Sequence, residues 1–354
     1  MGPNSRDNAY PEALPTSGIS RFWGQRGGLT AAPTSEDRLA IGRKSGDVKR
    51  SRPAGRPQDR KIFAPPMKSF PRLPLLAFSM LLAASSPPVS AQSVAVSYSP
   101  PARSIPLGST FVDWNALSFR PSPVGLYCAI FDEPTPTLEK FEVHVTTLRP
   151  GMASHSPHHH PWEEMLLIKS GQVEVSINGR KQGAGPGALV FLASNDAHNL
   201  TNTGSTPATY YVVNFYTGSV HTVRDQPAAE WAPPQMLSSR VVDCDHLPAA
   251  LTRIGHHTEV LDSPTVTFLR LESHITSLDP GESTTPRNRD PGDELFVVKS
   301  GMVEATLNGI AHRAGVGSLF YVAPNDERTM RNIGEGPCSY QVIKVVSEKT
   351  PQKT

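Results

Sequence analysis

Three side chains in one short stretch could share a metal ion. His158, His160 and Glu164 form a His-x-His-x3-Glu cluster. Two neutral imidazoles and a carboxylate suit a divalent first-row metal, and residues two apart lie on one face of a strand. In the same straight strand Glu164 would sit about 20 Å from His158 at roughly 3.3 Å per residue, too far to share an ion. The chain must therefore turn back between them, and Pro161-Trp162 is where it can. His198, in the separate stretch from Gly187 to Asn202, offers a fourth ligand. Three imidazoles and one carboxylate leave one or two positions open on a five- or six-coordinate metal, as in a catalytic rather than a closed structural site.

The elements that must hold these residues are predicted to be strands, in a pattern written twice. Residues 110–216 match residues 240–346 without a gap at a constant offset of 130. Pro150-Gly151 faces Pro280-Gly281, Lys169-Ser170-Gly171 faces Lys299-Ser300-Gly301, and Asn195-Asp196 faces Asn325-Asp326. In the first copy, residues 141–148, 165–169, 172–177, 188–192 and 209–216 are runs rich in Val, Ile, Thr, Phe and Tyr, bounded by Gly, Pro, Asn and Asp. Asn178-Gly179 and Asn308-Gly309 are type I′ hairpin signals, because both central positions must accept positive φ. Short strands separated by such turns predict a small antiparallel barrel or jelly roll in each copy.

At this point the sequence resembles the cupin superfamily. Its two motifs, Gly-(x)n-His-x-His-x3/4-Glu-x6-Gly and Gly-x5-Pro-x-Gly-x2-His-x3-Asn, are echoed by residues 151–171 and 187–202. Glu164-x6-Gly171 and His198-x3-Asn202 keep the spacing. Ala193 stands for the motif's proline, Asn195 for its glycine, and Gly151 lies one residue further from the first histidine than usual. The resemblance implies an all-β protein of two tandem double-stranded β-helix barrels, a bicupin, with His158, His160, Glu164 and His198 as metal ligands. It implies one divalent ion, whether Mn, Fe, Zn, Cu or Ni. Relatives with this set include manganese oxalate-degrading enzymes, several dioxygenases and zinc sugar-phosphate isomerases.

The repeat is its own control, since a feature needed for folding should recur while one needed for a metal need not. His158 becomes Asn288, His160 becomes Asp290 and His198 becomes Arg328, and only Glu164 has a counterpart, Glu294. A permanent cation at Arg328 predicts no metal in the second copy, and a pairing of Arg328 with Asp290 or Glu294 in its place. Glu142 and His144 recur as Glu272 and His274, and Asn202 as Asn332, so these read as structural. His159 must face away from its neighbours, and His155 is expected in solvent. Trp162, opposite Gly292, either walls the site or is an exposed loop aromatic. Outside the ligand set, Glu163 and Tyr211 are the candidate general bases. The lack of metal ligands in the second copy, and of an arginine beside His158-x-His160, stands against an oxalate decarboxylase.

Composition bounds the remainder. Residues 1–66 are crowded with Arg, Ser, Pro and Gly and read as disordered or as a mis-assigned extension. Met67 opens a basic stretch, an apolar run from Leu73 to Ala84 and the Val89-Ser-Ala91 cleavage pattern, so residues 67–91 read as a secretory signal peptide. The alternative is a cytoplasmic leader ahead of an anchor helix. The expected order is then cupin 1 over 92–216, a linker over 217–239, cupin 2 over 240–346 and a tail over 347–354. The 34 basic and 32 acidic residues divide as 14 and 6 up to position 91 and 20 and 26 after it, so the mature chain carries −6. That balance gives no support to a nucleic-acid or anionic-membrane partner. Cys128, Cys244 and Cys338 lack metal or redox spacing and read as buried thiols.

Two functions follow as expectations. One is an exported, periplasmic or extracellular metalloenzyme, of dioxygenase, decarboxylase or isomerase type, acting on a small organic acid, phenolic or sugar. The other is a non-catalytic bicupin that captures or stores a small ligand. Either could form a homo-oligomer, and neither keeps a membrane anchor after signal cleavage.

Overall fold

A computed structural model describes residues 105–351. The extension and signal-peptide expectations fall on residues 1–91, outside the described residues. In the first repeat the strands are β1 (Thr110–Val112), β2 (Arg120–Ser122), β3 (Gly125–Glu133), β4 (Lys140–Leu148), β5 (Glu163–Ser170), β6 (Val173–Ile177), β7 (Arg180–Ala184), β8 (Leu189–Leu192), β9 (His198–Asn202) and β10 (Ala208–Tyr216). The second repeat follows as β11 (Arg240–Val242), β12 (Ala250–Thr252), β13 (Gly255–Ser263), β14 (Arg270–Leu278), β15 (Asp293–Ser300), β16 (Val303–Leu307), β17 (Ile310–Ala314), β18 (Leu319–Val322), β19 (Arg328–Asn332) and β20 (Cys338–Val346). The predicted all-β class is observed, with the two hairpins: Asn178 and Gly179 take φ of 48° and 78°, and Asn308 and Gly309 take 47° and 85°. Among the described residues none of the helices is long and apolar enough to cross a membrane.

Each barrel pairs a seven-stranded antiparallel sheet with a three-stranded one, β11-β8-β5-β10-β4-β3-β2 with β7-β6-β9, and β1-β18-β15-β20-β14-β13-β12 with β17-β16-β19. The edge strands are exchanged. β1 precedes the first repeat in sequence yet pairs with β18 of the second, Phe111 opposite Phe320, while β11 pairs with β8 of the first, Val241 opposite Val190. Each barrel is therefore closed by a strand that lies before the other in the chain.

The large sheets are buried on both faces. On β4, Phe141, Val143 and Val145 turn outward from their barrel into a core shared with Leu271, Leu295, Tyr321 and Val345 of the second repeat. Within the first barrel Leu148, Leu166, Ile168, Val190 and Val212 form a separate core, and Leu278, Phe296, Val322 and Val342 belong to its equivalent in the second. A strand covered on both sides reads as a continuous apolar run such as Met165-Leu-Leu-Ile168, which hides the alternation of faces. The three cysteines are free and buried.

Candidate metal centre

The backbone brings the ligands together before any side chain is considered. His158 and His198 bridge reciprocally, each amide donating to the other's carbonyl at 3.1 and 2.8 Å, and the Asn195 amide donates to the His160 carbonyl at 2.8 Å. β5 then begins at Glu163, so the chain turns over Pro161-Trp162 and returns Glu164 to the two histidines. One ring nitrogen from each of His158, His160 and His198 lies within 4.8 Å of the others. Glu164 completes the group, its Oε2 3.3 Å from His160 Nε2 and its Oε1 4.0 Å from His198 Nε2.

The ring hydrogen bonds fix which nitrogens are free. A carbonyl only accepts, so His160 Nδ1 donates to Trp162 O at 2.9 Å and His198 Nδ1 donates to Asp196 O at 2.8 Å. Both rings are thereby held with Nε2 turned toward Glu164, the outer-shell arrangement common to ligating histidines. His198 Nε2 and His158 Nδ1 are buried without a hydrogen-bond partner, as expected of lone pairs kept for an ion. Burial, with the neighbouring imidazoles, pushes His158 down to about 3. Burial likewise pushes His198 to about 4 against the pull of Glu164. Burial opposes ionisation of Glu164, but the His160 hydrogen bond and the field of the imidazoles hold it at about 2. Three imidazoles around a carboxylate form a donor set that fits one divalent ion.

These groups line a cavity of about 580 Å³. β4 contributes Lys140, Glu142, His144 and Thr146, and β10 contributes Tyr210, Asn214 and Tyr216. The register places Asn214 between Glu142 on one side and Glu164 on the other, in one row across three strands. Lys140 lies 2.7 Å from Asp132 and 3.1 Å from Glu142, and His144 Nδ1 lies 3.4 Å from Glu142. Burial disfavours the Glu142 carboxylate, but His144 and Lys140 outweigh it and bring it to about 2. Trp162 is buried in the wall, stacked on His160 at 4.2 Å between centroids and 3° between planes, with Tyr216 on it at 4.6 Å.

Several expectations need correction. Glu163 and Tyr211 point away from the metal cluster, because they alternate with Glu164 and Tyr210 along their strands. Glu163 accepts hydrogen bonds from the hydroxyls of Thr265 and Thr267 and the amide of Val266, and the Tyr211 hydroxyl donates to Gly317 O at 2.6 Å, all in the second repeat. Neither can act as a base in this cavity. Glu142 and His144 recur as a pair in both repeats, His274 lying 3.2 Å from Glu272, yet they also face the cavity, a placement that the repeat comparison could not reveal. His155 is exposed but turns its ring onto His158, 3.9 Å between centroids. His159 faces away, 3.2 Å from the Asn195 side-chain oxygen. Asn202 and Asn332 tie the backbone in the same way, donating to Leu148 O and Leu278 O.

In the second repeat the backbone frame persists, with Asn288 and Arg328 bridging at 2.9 Å in both directions. Arg328 Nη2 meets Glu294 at 2.5 Å, whereas Asp290 is taken by Lys344 at 2.7 Å. Of the two predicted partners of Arg328, the structure selects Glu294.

Comparison with known proteins agrees with this architecture. The cupin-domain family model matches twice, over residues 144–214 and 274–344. No curated protein matches the chain. Similar solved structures include protein Ylba from E. coli (TM-score 0.53, 10% identity, 72% of this chain and 98% of that one). A candidate glyoxylate-induced protein of Pseudomonas aeruginosa gives a TM-score of 0.55 at 14% identity, covering 75% and 99%. A variant of Bacillus subtilis oxalate decarboxylase gives 0.51 at 13%, covering 70% and 79%. At these identities the likeness is one of fold. The chain thus carries two tandem cupin domains, one in each repeat.

Proposed function

We propose that this protein is a metalloenzyme whose single active centre lies in the first barrel, with His158, His160, Glu164 and His198 holding one divalent ion. The observation that carries the reading is the convergence of these four groups, with ring nitrogens left unpartnered, in a cavity far larger than an ion requires. A divalent metal bound there supplies a positive centre able to polarise a substrate oxygen. The chain's own residues do the rest. Trp162 and Tyr216 form an apolar wall for the body of a small organic acid, phenolic or sugar. Glu142, ionised and held by Lys140, is an acceptor for a substrate hydroxyl, and His144 beside it can take up or return a proton through its ring. The oxalate decarboxylase fold neighbour makes decarboxylation one reaction to screen, beside oxygen-dependent ring or C–C cleavage and isomerisation.

Export is part of the proposal, supported by the basic, apolar and Ala-terminated segments of residues 67–91. Mass spectrometry of the native N-terminus is expected to place it after Ala91, and a mature chain retaining Arg21 or Trp23 would sink the idea. Metal analysis of protein recovered from the exported fraction should give one ion per chain. His160→Ala should remove it while the chain stays folded, and should abolish turnover in oxygen-uptake or decarboxylation screens. Ligand capture at full strength by metal-free protein would refute the enzyme and leave a binding bicupin.

A further inference from the structure

The second barrel lost its metal ligands but kept a cavity. It measures about 270 Å³, and its walls are largely the first cavity's walls carried over by the repeat. Leu166, Leu200 and Val212 become Phe296, Met330 and Val342. The Lys344–Asp290 pair stands where Asn214 and His160 stand in the first barrel. Where His198 faces the metal cluster, Arg328 lines the space instead, with its side chain only 11% exposed. The guanidinium is half used: Nη2 is held by Glu294, while Nη1 is buried without an acceptor.

A barrel retained only as scaffold has no reason to keep an open pocket with an unmet charged donor, an arrangement that is strongly unfavourable. A fixed guanidinium in place of an ion keeps the attraction for oxygen anions and loses all Lewis-acid and redox chemistry. We propose that the second barrel is a metal-free binding site for a small monocarboxylate, its head group on Arg328 and its short apolar body against Phe296, Met330 and Val342. One free guanidinium nitrogen beside the buried Glu294 suits one negative charge and disfavours two. Burial pushes the Glu294 carboxyl up, and the Arg328 guanidinium pulls it down. His257 and His274 also line the cavity, and burial pushes His257 down toward its neutral form. The site is independent of the chemistry assigned to the first barrel.

The test is calorimetric titration with butyrate, and with butyramide as the uncharged isostere. His160→Ala, which lacks the first-barrel metal and so reports the second barrel alone, should bind one butyrate per chain, with butyramide weaker by about tenfold or more; the cavity variants are made in that background. The double variant Glu294→Gln with Arg328→Met removes both buried charges together and should lose the binding. Val342→Phe fills the pocket while leaving the ion pair intact, and should lose it too. Equal binding of the amide, loss of binding in His160→Ala, absence of saturable binding, or full binding by either folded cavity variant would each overturn the assignment.

Discussion

His160 shows how one residue is held from three sides: by the Trp162 carbonyl at Nδ1, by Glu164 near Nε2 and by the Trp162 ring on its face. Removing the ring should act on both stability and metal. Trp162→Ala is expected to cost about 3–5 kcal/mol in thermal unfolding, and to weaken metal affinity by about 10–100-fold in a chelator competition. Trp162→Phe, which keeps an aromatic stack, should recover much of both. The repeat suggests a sharper substitution. His198→Arg writes the second barrel's residue into the first, where the guanidinium would pair with Glu164 as Arg328 pairs with Glu294. Metal analysis of that variant should find none, with the circular dichroism spectrum unchanged.

At the scale of the elements, Asn195 shows what the motif requires. The superfamily pattern has glycine there, and the backbone explains both that choice and this exception, because Asn195 takes φ of 59° and Asn325 takes 65°. Asparagine tolerates this left-handed region, and its side chain further donates to Arg224 O at 2.7 Å. Asn195→Ala should therefore cost about 2 kcal/mol from the left-handed strain and the lost hydrogen bond combined. Gly171 admits no such exception, since at φ of 84° a Cβ would come within 2.5 Å of Ala208 Cα. The strands, the hairpins and the four side chains that converge in the first barrel were legible in sequence, because turn residues and motif spacing are local signals. The inner and outer faces of β4, β5 and β10 were harder to read, because a sheet buried on both sides blurs the period-two pattern. Glu163 and Tyr211 were misassigned for that reason, and Glu142 and His144 were judged by recurrence when orientation toward the cavity was the informative property. The exchanged edges left no signal, since β1 and β11 carry the same pattern whichever sheet they join.

Across the whole molecule the two repeats share one core and two reciprocal latches. Glu163 accepts from Thr265 and Thr267 of the second repeat, and its counterpart Asp293 accepts from Thr137 of the first as well as from Tyr321. Burial raises both carboxyls, Glu163 from 4.5 to about 7. Below 4.5 the Glu163 carboxyl is protonated folded or unfolded; between 4.5 and about 7 the unfolded chain ionises first, so stability falls as pH rises. The loss attached to Glu163 is about 3 kcal/mol, and denaturant titrations of Glu163→Gln should show a flatter profile across that window. An isolated first repeat, residues 105–239, would bare Phe141, Val143 and Met165 and lack β11, so size exclusion should find it aggregated or self-paired rather than monomeric. The exchange of β1 and β11 also sets a timetable for synthesis. The first barrel cannot seal until residue 242 has left the ribosome, whereas β1 waits unpaired until β18 appears more than two hundred residues later. The half that carries the histidine cluster thus reaches its final form only after translation has committed to its partner, and a chain truncated in the linker leaves the edge of β8 open.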